Sequence, residues 1–413
     1  MNEAMIRADV ERLCAFEGRL AGTDSERRAS SDLARGLAAA GRRARVESTY
    51  VQPQWAIVHL LHCAMAAIGS MIAGALAPVG FALVLVAATS AYLDLSARHY
   101  LLRRVLFRRA SQNVHTLPQG KSEKPVVILC ANVDAARTGA AYNRLPAALR
   151  NWAAKRFPIV TSPTRIWFWS IALLLPPLGA RMAGLEPTWL AALQLPQTLI
   201  LIGACFLLGE IALSPASPGA DANASGTAAA LAALRRVDAD PPRHLRVEVV
   251  LAGAGETTMQ GMRAFVRRHR GELDRARTWF ISFESVGRGD PRYLRSQGLA
   301  VSMPMDPELA GLCEALAEAG GTDHAIEPWR DGGVSAACVA RAYGYRALPI
   351  TCREPGRAVP EHDHTPRDVP ESLDPAAIER AGILAEGVIR LLDRELGRSQ
   401  ATRRADGPQA AAA

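Results

Sequence analysis

The chain has 413 residues, of which 49% are hydrophobic, 21% charged and 6% aromatic, with 33 glycines and 26 prolines. This composition excludes a disordered, collagen-like or coiled-coil chain and requires a buried core. The mean hydropathy of +0.04 averages two unlike parts, because long apolar runs interrupt an otherwise ordinary soluble sequence.

The positive charge of the chain is concentrated in particular segments. Lys and Arg outnumber Asp and Glu by 48 to 40, which gives a net charge of +8. Such a balance is typical of proteins that bind nucleic acid or an anionic membrane surface. The arginines crowd beside the most apolar segments, in 98–109 and 150–165, and no basic face with interleaved aromatic residues occurs elsewhere. We therefore expect a membrane as partner and no nucleic acid.

The first long apolar run, 56–93, contains no Asp, Glu, Lys or Arg and is interrupted near its middle by APVG at 77–80. Because one membrane-spanning helix needs about 20 residues, the run predicts a hairpin of two short spans that turns at Pro78. His59 and His62 lie in the first turns of this hairpin, where we expect packed or interfacial histidines rather than metal ligands.

A second apolar run begins at Ile166, is broken by Arg181 and by Glu186-Pro187, and resumes over 189–209. It predicts another membrane hairpin, which brings the total to about four spans. The alternative is that these helices are buried in a large soluble core. Three tryptophans are candidate anchors at the membrane interface: Trp167, Trp169 and Trp189.

The sidedness of the soluble part follows from the hairpins. Two hairpins return the chain to its starting side, and the neighbouring arginines place that side in the cytoplasm. The first residues, MNEAMIRADVERL, form a charged amphipathic pattern without the apolar region of a signal peptide. The seven cysteines are an odd number without CxxC spacing, so neither a disulfide framework nor a thiolate zinc site is expected. We predict a protein integral to the cytoplasmic (inner) membrane with its soluble domain on the cytoplasmic side.

Outside the apolar runs, strand and helix signals alternate, as in an α/β domain. The predicted strands are 42–50, 125–131, 245–252, 278–283 and 347–351. The predicted helices are 9–16, 25–40, 226–237, 259–269, 307–319 and 375–396. The predicted organisation is one domain in three parts (1–55, 97–165 and 213–396), two membrane hairpins (56–96 and 166–212) and a disordered tail (397–413).

Polar residues that follow the predicted strands are the candidates for chemistry, because ligands of open α/β sheets bind at the carboxyl ends of strands. The candidates are Asn132, Asp134, Glu256, Glu284, Asp221 in the loop PGADANASG, and His364 in EHDHTPRD. Carboxylates and an imidazole that converge on one sheet edge have the composition of a zinc site.

Six motifs, taken in order, resemble the co-catalytic di-zinc exopeptidases of the aminopeptidase S and aminopeptidase Y type (clan MH). They are LCAFEGRLAGTDSERRASSDLARGLAAAG, SQNVHTLPQG with PVVILCANVDA, GADANASG, AGAGETTMQG, ISFESVG and DHTPRD. The resemblance covers nearly all of the soluble sequence. It implies a three-layer α/β/α sandwich with a mixed, mostly parallel central sheet.

The resemblance also implies a site of two zinc ions with a bridging carboxylate and a glutamate that activates the attacking water. At the first histidine ligand the chain has Asn132, with Asp134 in the orienting position that follows it. At the bridging aspartate it has Ala222, preceded by Asp221, and at the general base it has Gly255. Three of the five ligand positions keep a ligand-type residue: Glu256, Glu284 and His364.

These substitutions favour a catalytically impaired pseudopeptidase that serves as a binding or scaffold module, with no catalytic residue assigned. The residues predicted to hold metal are Asp221, Glu256, Glu284 and His364, and they suit one zinc ion or none better than two. Asp331, in WRDGGVS, either shapes a pocket or caps the next helix. The alternative to a metal site is that the glutamates are paired with arginines and that His364 is a packed or capping imidazole.

Two alternatives to the pseudopeptidase stay open: a divergent active membrane metallopeptidase or amidohydrolase, and a transport accessory. The second hairpin leaves the chain after the strand with Asn132 and returns just before GADANASG, so we expect the pocket mouth to face the membrane. The predicted partner is therefore a lipid headgroup, a peptide tail at the membrane or another membrane protein.

Overall fold

A computed structural model describes residues 3–96, 99–118, 120, 123–156, 162–185, 188–320 and 326–406. The helices are α1 Glu3–Cys14, α2 Asp24–Ala39, α3 Trp55–Ile72, α4 Ala77–Leu95, α5 Arg144–Arg156, α6 Pro163–Met182, α7 Thr188–Leu213, α8 Ser225–Ala239, α9 Gln260–His269, α10 Pro307–Glu318, α11 Ala336–Ala342 and α12 Pro375–Asp406. The strands are β1 Arg45–Val51, β2 Arg109–His115, β3 Val126–Asn132, β4 Arg246–Ala252, β5 Thr278–Phe283, β6 Asp290–Gln297, β7 Met303–Pro304, β8 Glu327–Arg330 and β9 Arg346–Arg353.

The strands form one mixed sheet in the order β1-β2-β4-β3-β5-β9-β6-β7, with β8 paired to β6. The central strands β4, β3, β5 and β9 run parallel to one another, and antiparallel strands flank them on both sides. The parallel strands are buried along almost their whole length, as expected for strands that helices cover on both faces. Their carboxyl ends consequently meet at one edge.

The side chains of β3 show how the two helical layers are built. Val127, Leu129 and Ala131 join the core beneath α1, α2, α8, α10 and α12, whereas Ile128 and Cys130 join the core beneath α9 and α11. Successive residues of a strand point to opposite faces, so one fully apolar strand serves both cores. The predicted three-layer α/β/α sandwich is confirmed.

Helices α3, α4, α6 and α7 form a separate apolar bundle beside the sandwich, with its own core. Among the described residues α3, α4 and α7 are long and apolar enough to cross a membrane, and at most half of each is buried. Helix α6 does not meet that criterion, so three candidate spans stand where about four were predicted. Its two arginines and two internal prolines, Pro176 and Pro177, lower its apolar character.

The outer surface of the apolar bundle exposes large hydrophobic side chains, which argues against a buried soluble core. They include Ile68, Met71, Val86, Leu173, Trp189, Leu199 and Phe206. Within the first hairpin, α3 and α4 approach so closely at Gly69 and Gly80 that a Cβ atom on either would meet the other's backbone. His62 donates to or accepts from Ser90 at 2.8 Å, so it is a packed histidine as predicted.

A buried ion pair fixes the first hairpin to the sandwich. The Arg103 guanidinium donates to both carboxylate oxygens of Asp94, at 2.6 and 2.7 Å, and to the Gln52 carbonyl oxygen at 3.1 Å. Both charged side chains are at most 1% exposed. The second hairpin is held by Arg165, which donates to the Gly298 carbonyl oxygen. The orientation of the bundle is therefore set by specific polar contacts.

Two expectations from the sequence are wrong. Residues 397–406 are not a disordered tail, because α12 continues to Asp406; Arg, Gln and Ala favour propagation of an existing helix at little cost. The rest of that tail lies outside the described residues. Trp167 is not an interface anchor, because it is 4% exposed and its ring lies 4.8 Å from that of His59.

Candidate functional site

The predicted site lies at the carboxyl edge of the parallel strands. Asn132 ends β3, Glu256 follows β4 and Glu284 follows β5 directly. A cavity of about 470 Å³ opens at this edge. Its lining includes most of the residues singled out from the sequence: Asn132, Ala222, Gly255, Glu256, Glu284, Asp331 and His364.

The opposite wall of this cavity belongs to the apolar bundle. The lining residues there include Trp55, His59, Trp167, Ile200, Leu207 and Ile211. The loops that carry the second hairpin begin and end beside the strand edge, so the bundle covers the site. The cavity lies beside the hairpins, as expected from the points at which the second hairpin leaves and rejoins the soluble part of the chain. We call this space the shared cavity.

Glu256 and His364 face each other in the shared cavity. Glu256 Oε2 lies 3.4 Å from His364 Nε2, and Oε1 accepts a hydrogen bond of 2.7 Å from the Asn223 side chain. The ring of Tyr142 contacts that of His364 edge-on at 4.7 Å. The side chain of Glu256 thus contacts an amide and an imidazole, and not the arginines expected if the glutamates only formed ion pairs.

Asn132 and Glu284 form the second polar contact of the cavity. The Asn132 amide nitrogen lies 3.5 Å from Glu284 Oε2, a long hydrogen bond. Asn132 Oδ1 and Glu284 Oε1 are both buried without a hydrogen-bond partner. Burial, reinforced by the charge of Glu256, raises the pKa of Glu284 well above its usual value.

The substitutions at Asn132 and Gly255 are coupled in space. A Cβ atom added at Gly255 would overlap the amide group of Asn132. The position that the motif resemblance assigns to the general base is therefore crowded by the Asn132 side chain. A glutamate at 255 does not fit unless Asn132 moves.

Asp134 supports the loop that follows β4. Its two carboxylate oxygens accept hydrogen bonds from the backbone N–H groups of Gly255 and Glu256, at 2.6 and 3.1 Å. Complete burial, with the nearby charges of Glu26 and Glu256, raises the Asp134 pKa well above its usual value. Asp134 thus orients backbone here, where the resemblance implied that it orients a metal-bound imidazole.

Asp221 does not join Glu256 and His364. Its carboxylate accepts a hydrogen bond of 2.7 Å from the Gly287 backbone N–H, and it is absent from the residues that line the shared cavity. The reason is Asp368, whose carboxylate accepts from the N–H groups of Asp221 and Ala222 and fixes the loop. Of the four residues predicted to hold metal, Asp221 is therefore the one that does not line the cavity with Glu256, Glu284 and His364.

Sequence reasoning missed three buried residues that build the site. Arg19 donates to the carbonyl oxygens of Val133 and Gly219 and joins two of the site loops. Glu26 accepts from Ala254 N–H at 2.9 Å, and burial raises its pKa to about 7. Burial likewise raises the pKa of Asp368 to about 7. Arg19 and Asp368 stood inside quoted motifs, and Glu26 completes the T-x-x-E capping signature with Thr23.

Backbone strain concentrates around the same loops. In the described part of the chain, the non-glycine residues with positive φ are Ala254, Thr258, Met259, Ser285 and His364. Each lies at or within a few residues of Glu256, Glu284 or His364. Such conformations persist only where the surroundings enforce them, and they are frequent at binding sites. The loops that carry these residues therefore have a demanding backbone geometry.

Asp331 lines the shared cavity and does not cap the following helix. That cap is Ser335, whose hydroxyl accepts from the Cys338 backbone N–H at 3.1 Å. Of the two interpretations of Asp331 from the sequence, the structure therefore supports the pocket residue.

Comparison with known proteins identifies the fold. The sequence model of peptidase family M28 matches residues 208–389. The fold is that of a zinc exopeptidase. A zinc aminopeptidase of Bacillus subtilis superposes with a TM-score of 0.53 at 12% identity, over 94% of each chain. LapB of Legionella pneumophila gives 0.52 at 11%, over 95% of this chain and 72% of that one. A glutaminyl cyclase of Bacteroides thetaiotaomicron, bound to N-acetylhistamine, gives 0.51 at 13%, over 94% and 97%.

No curated protein matches the chain. The likeness to M28 peptidases and zinc-dependent exopeptidases confirms the resemblance seen in the motifs and suggests zinc. The positions that the motif resemblance assigns to the bridging carboxylate and the first histidine carry a methyl group and an amide, which do not fit a two-ion centre. Among the described residues, Glu256 and His364 belong to no group of three ligand atoms that all lie within 4.8 Å of one another, whereas a catalytic zinc ion ordinarily takes three ligands from protein.

Proposed function

We propose that the protein is a membrane-anchored, zinc-exopeptidase-like pseudopeptidase that binds a membrane-proximal ligand in the shared cavity. One observation carries the proposal: the cavity joins the strand edge, with Ala222 and Gly255 at the bridge and base positions, to a wall of apolar helices. A site for peptide hydrolysis requires an activated water and the ions that hold it. A binding site requires only shape and complementary polar groups.

Loss of peptidase activity follows from the chemistry of the residues present. Removal of a general base alone lowers a rate by roughly 10²–10⁴-fold. The remaining glutamates do not replace it, since Glu256 is engaged by Asn223 and His364, and Glu284 contacts the Asn132 amide through Oε2 while its Oε1 is buried. We derive no hydrolytic step from these groups.

The chemistry of the cavity favours an amphipathic ligand that carries an ammonium group. At the polar end, Glu256, Asp331 and Asp363 provide carboxylates, whereas Arg353 is the arginine of the lining. At the other end the lining is aliphatic and aromatic. An amine next to an apolar chain occurs in aminophospholipids and at the free amino terminus of a hydrophobic peptide. Both are available at a membrane surface.

Membrane anchoring on the cytoplasmic side is part of this proposal. It is supported by the three apolar helices, by the exposed hydrophobic surface of the bundle and by the arginines next to the hairpins. The protein should stay in the membrane fraction after carbonate extraction. Protease added to inside-out vesicles should digest the sandwich, while protease added to right-side-out vesicles should leave it intact. The reverse digestion pattern would refute this orientation.

Turnover assays test the pseudopeptidase. The detergent-purified full chain, supplied with zinc, is assayed on a panel of aminoacyl and N-terminal glutaminyl substrates beside Glu256→Ala. We expect the two proteins to be indistinguishable. Stoichiometric zinc together with turnover that Glu256→Ala abolishes would instead establish a divergent metallohydrolase, the alternative that the facing pair of Glu256 and His364 favours.

Binding assays test the ligand chemistry. Nanodiscs with and without phosphatidylethanolamine, and hydrophobic peptides with free or acetylated amino termini, separate the two sources of an amine. We expect binding to require the free amine and to weaken about tenfold in Asp331→Asn, since a charged hydrogen bond is worth 1.5–3 kcal/mol or so. Glu327→Gln, an exposed residue outside the cavity, is the matched control. Binding independent of the amine would refute the assignment.

A further inference from the structure

A second cluster of histidine and carboxylate side chains lies at the β1 edge of the sheet, outside the lining of the shared cavity. Glu47 of β1 is paired with Asn113 of β2, and His115 follows two residues later on β2. Residues at these diagonal positions share one face of the sheet. Helix α9 lies over that face and ends at His269, so three elements bring their side chains together.

The geometry of this cluster matches that of a metal site. One potential ligand atom from each of Glu47, His115 and His269 lies within 4.8 Å of the other two, and among the residues that the structure describes this is the group of three that does so. Glu47 Oε2 and His269 Nε2 are 3.3 Å apart. Two ligands about 2.0–2.1 Å from a tetrahedral zinc ion are separated by roughly 3.3 Å.

The surrounding side chains orient the ligands as in metal sites. His269 Nδ1 is 2.9 Å from Glu272 Oε2, so a carboxylate holds the ring with Nε2 directed at Glu47. Metal-bound histidines almost always use their second nitrogen in this way. Arg268 contacts the other carboxylate oxygen, Oε1 of Glu47, and leaves Oε2 for the centre of the cluster.

His115 is the residue of this cluster that has an unsatisfied buried nitrogen. It is 3% exposed, and its Nδ1 is buried without a hydrogen-bond partner. Its ring packs between Phe265, at 5.6 Å, and His269, at 5.2 Å. An unsatisfied buried polar atom costs about 1–3 kcal/mol. A bound cation would remove that cost while joining the two histidines and the carboxylate.

We propose that Glu47, His115 and His269 bind a zinc ion, distinct from the degenerate exopeptidase site, with Glu272 orienting His269. Two imidazole nitrogens and one carboxylate oxygen are a usual donor set for zinc, and a fourth position stays open to water. The ion would join the edge strand β1 and β2 to the end of α9. The competing arrangement is an ion-pair network in which a protonated His269 bridges Glu47 and Glu272.

The test is metal binding by the full chain in detergent, after treatment with a chelator. Zinc is titrated directly, and cobalt(II) serves as a spectroscopic probe because tetrahedral cobalt absorbs strongly in the visible range. We expect one zinc ion per chain, a tetrahedral cobalt spectrum and a higher Tm with zinc. Glu47→Gln and His269→Asn should weaken zinc binding by about 100-fold or more, and Glu272→Gln by about 10–100-fold.

Matched variants separate this site from the exopeptidase edge. Glu256→Gln and His364→Asn should leave zinc affinity and the cobalt spectrum unchanged, and circular dichroism of the zinc-free proteins checks that each variant folds. Arg268→Ala should keep its zinc, because Arg268 contacts the other oxygen of Glu47. Absence of zinc binding, or an affinity that falls with Glu256→Gln and not with Glu47→Gln, would overturn the proposal.

Discussion

The two walls of the shared cavity have different origins in the sequence. The sandwich wall is built from segments that match zinc-exopeptidase motifs, and strained backbone surrounds Glu256, Glu284 and His364 there. The bundle wall has no counterpart in those motifs and contributes apolar side chains such as Ile200 and Leu207. The comparison teaches that the motifs account for the polar wall of the cavity, whereas the long apolar runs of the sequence account for the other wall.

The two polar clusters of the sandwich extend this lesson. The cluster in the place that the family predicts has two facing donors, Glu256 and His364. The cluster on the β1 edge, of which the quoted motifs include only His115, combines a carboxylate with two histidines and an orienting glutamate. A metal site is recognised by its donors and their geometry, whatever the family alignment indicates.

We expect the largest loss of stability from a substitution that detaches the apolar bundle from the sandwich. Arg103→Met leaves Asp94 charged and buried without its partner, and breaking such a pair costs about 3–5 kcal/mol. We expect a correspondingly lower Tm in detergent and loss of ligand binding, because the first hairpin no longer docks. Arg104→Met, an exposed neighbour, is the control that should change little.

The double variant Asp94→Leu/Arg103→Met sharpens this experiment. Replacing both partners with apolar groups removes the uncompensated charge, so much of the lost stability should return. A double variant as unstable as Arg103→Met alone would show that the uncompensated charge of Asp94 is not the cause of the lost stability.

The sandwich wall should respond to pH through Glu26. Its pKa is raised to about 7 by burial, so the protonated form is the one that the fold favours. The stability that this group contributes is complete below its unfolded pKa, near 4.5, and is lost as pH rises through 7. The loss is on the order of 3 kcal/mol. In denaturation at pH 5 and pH 8, Glu26→Gln should show a smaller decrease than the wild type.

Asp368 has a similarly raised pKa and acts in the same direction, so Glu26→Gln should flatten the pH dependence without abolishing it. Stability that rises from pH 5 to pH 8 in the wild type would contradict this account of the buried carboxyl groups.

The strands and helices that could be predicted from the sequence are those whose own residues show a strong local preference. The run VVILCA of β3 is apolar, and the structure places the strand between two helical layers. Strand β6, DPRYLRSQ, contains proline and two arginines and was not predicted. It exists because β9 and β8 pair with it, and tertiary pairing overrides a weak local preference.

The residues of the site likewise divide into those that the sequence could predict and those that depend on long-range contacts. Asn132, Glu256 and Glu284 were found because parallel strands end at one edge, a rule that topology alone supplies. The orientation of Asp221 depends on Asp368, 147 residues later. The β1-edge cluster joins Glu47 to His269 across 222 residues. Contacts of this kind leave no periodicity or motif in the sequence.

The smallest predicted effect tests the packing of Asn132 against position 255. Gly255→Ala inserts a methyl group into the Asn132 amide, and overpacking of this kind costs about 1–3 kcal/mol. Gly271→Ala, at a glycine with nothing within 4 Å of its added Cβ, is the matched control. In Gly255→Ala/Asn132→Ala the clash disappears, so the two effects should be strongly non-additive in denaturant unfolding. Additive effects would mean that the base position is open, and that a glutamate could be restored there without moving Asn132.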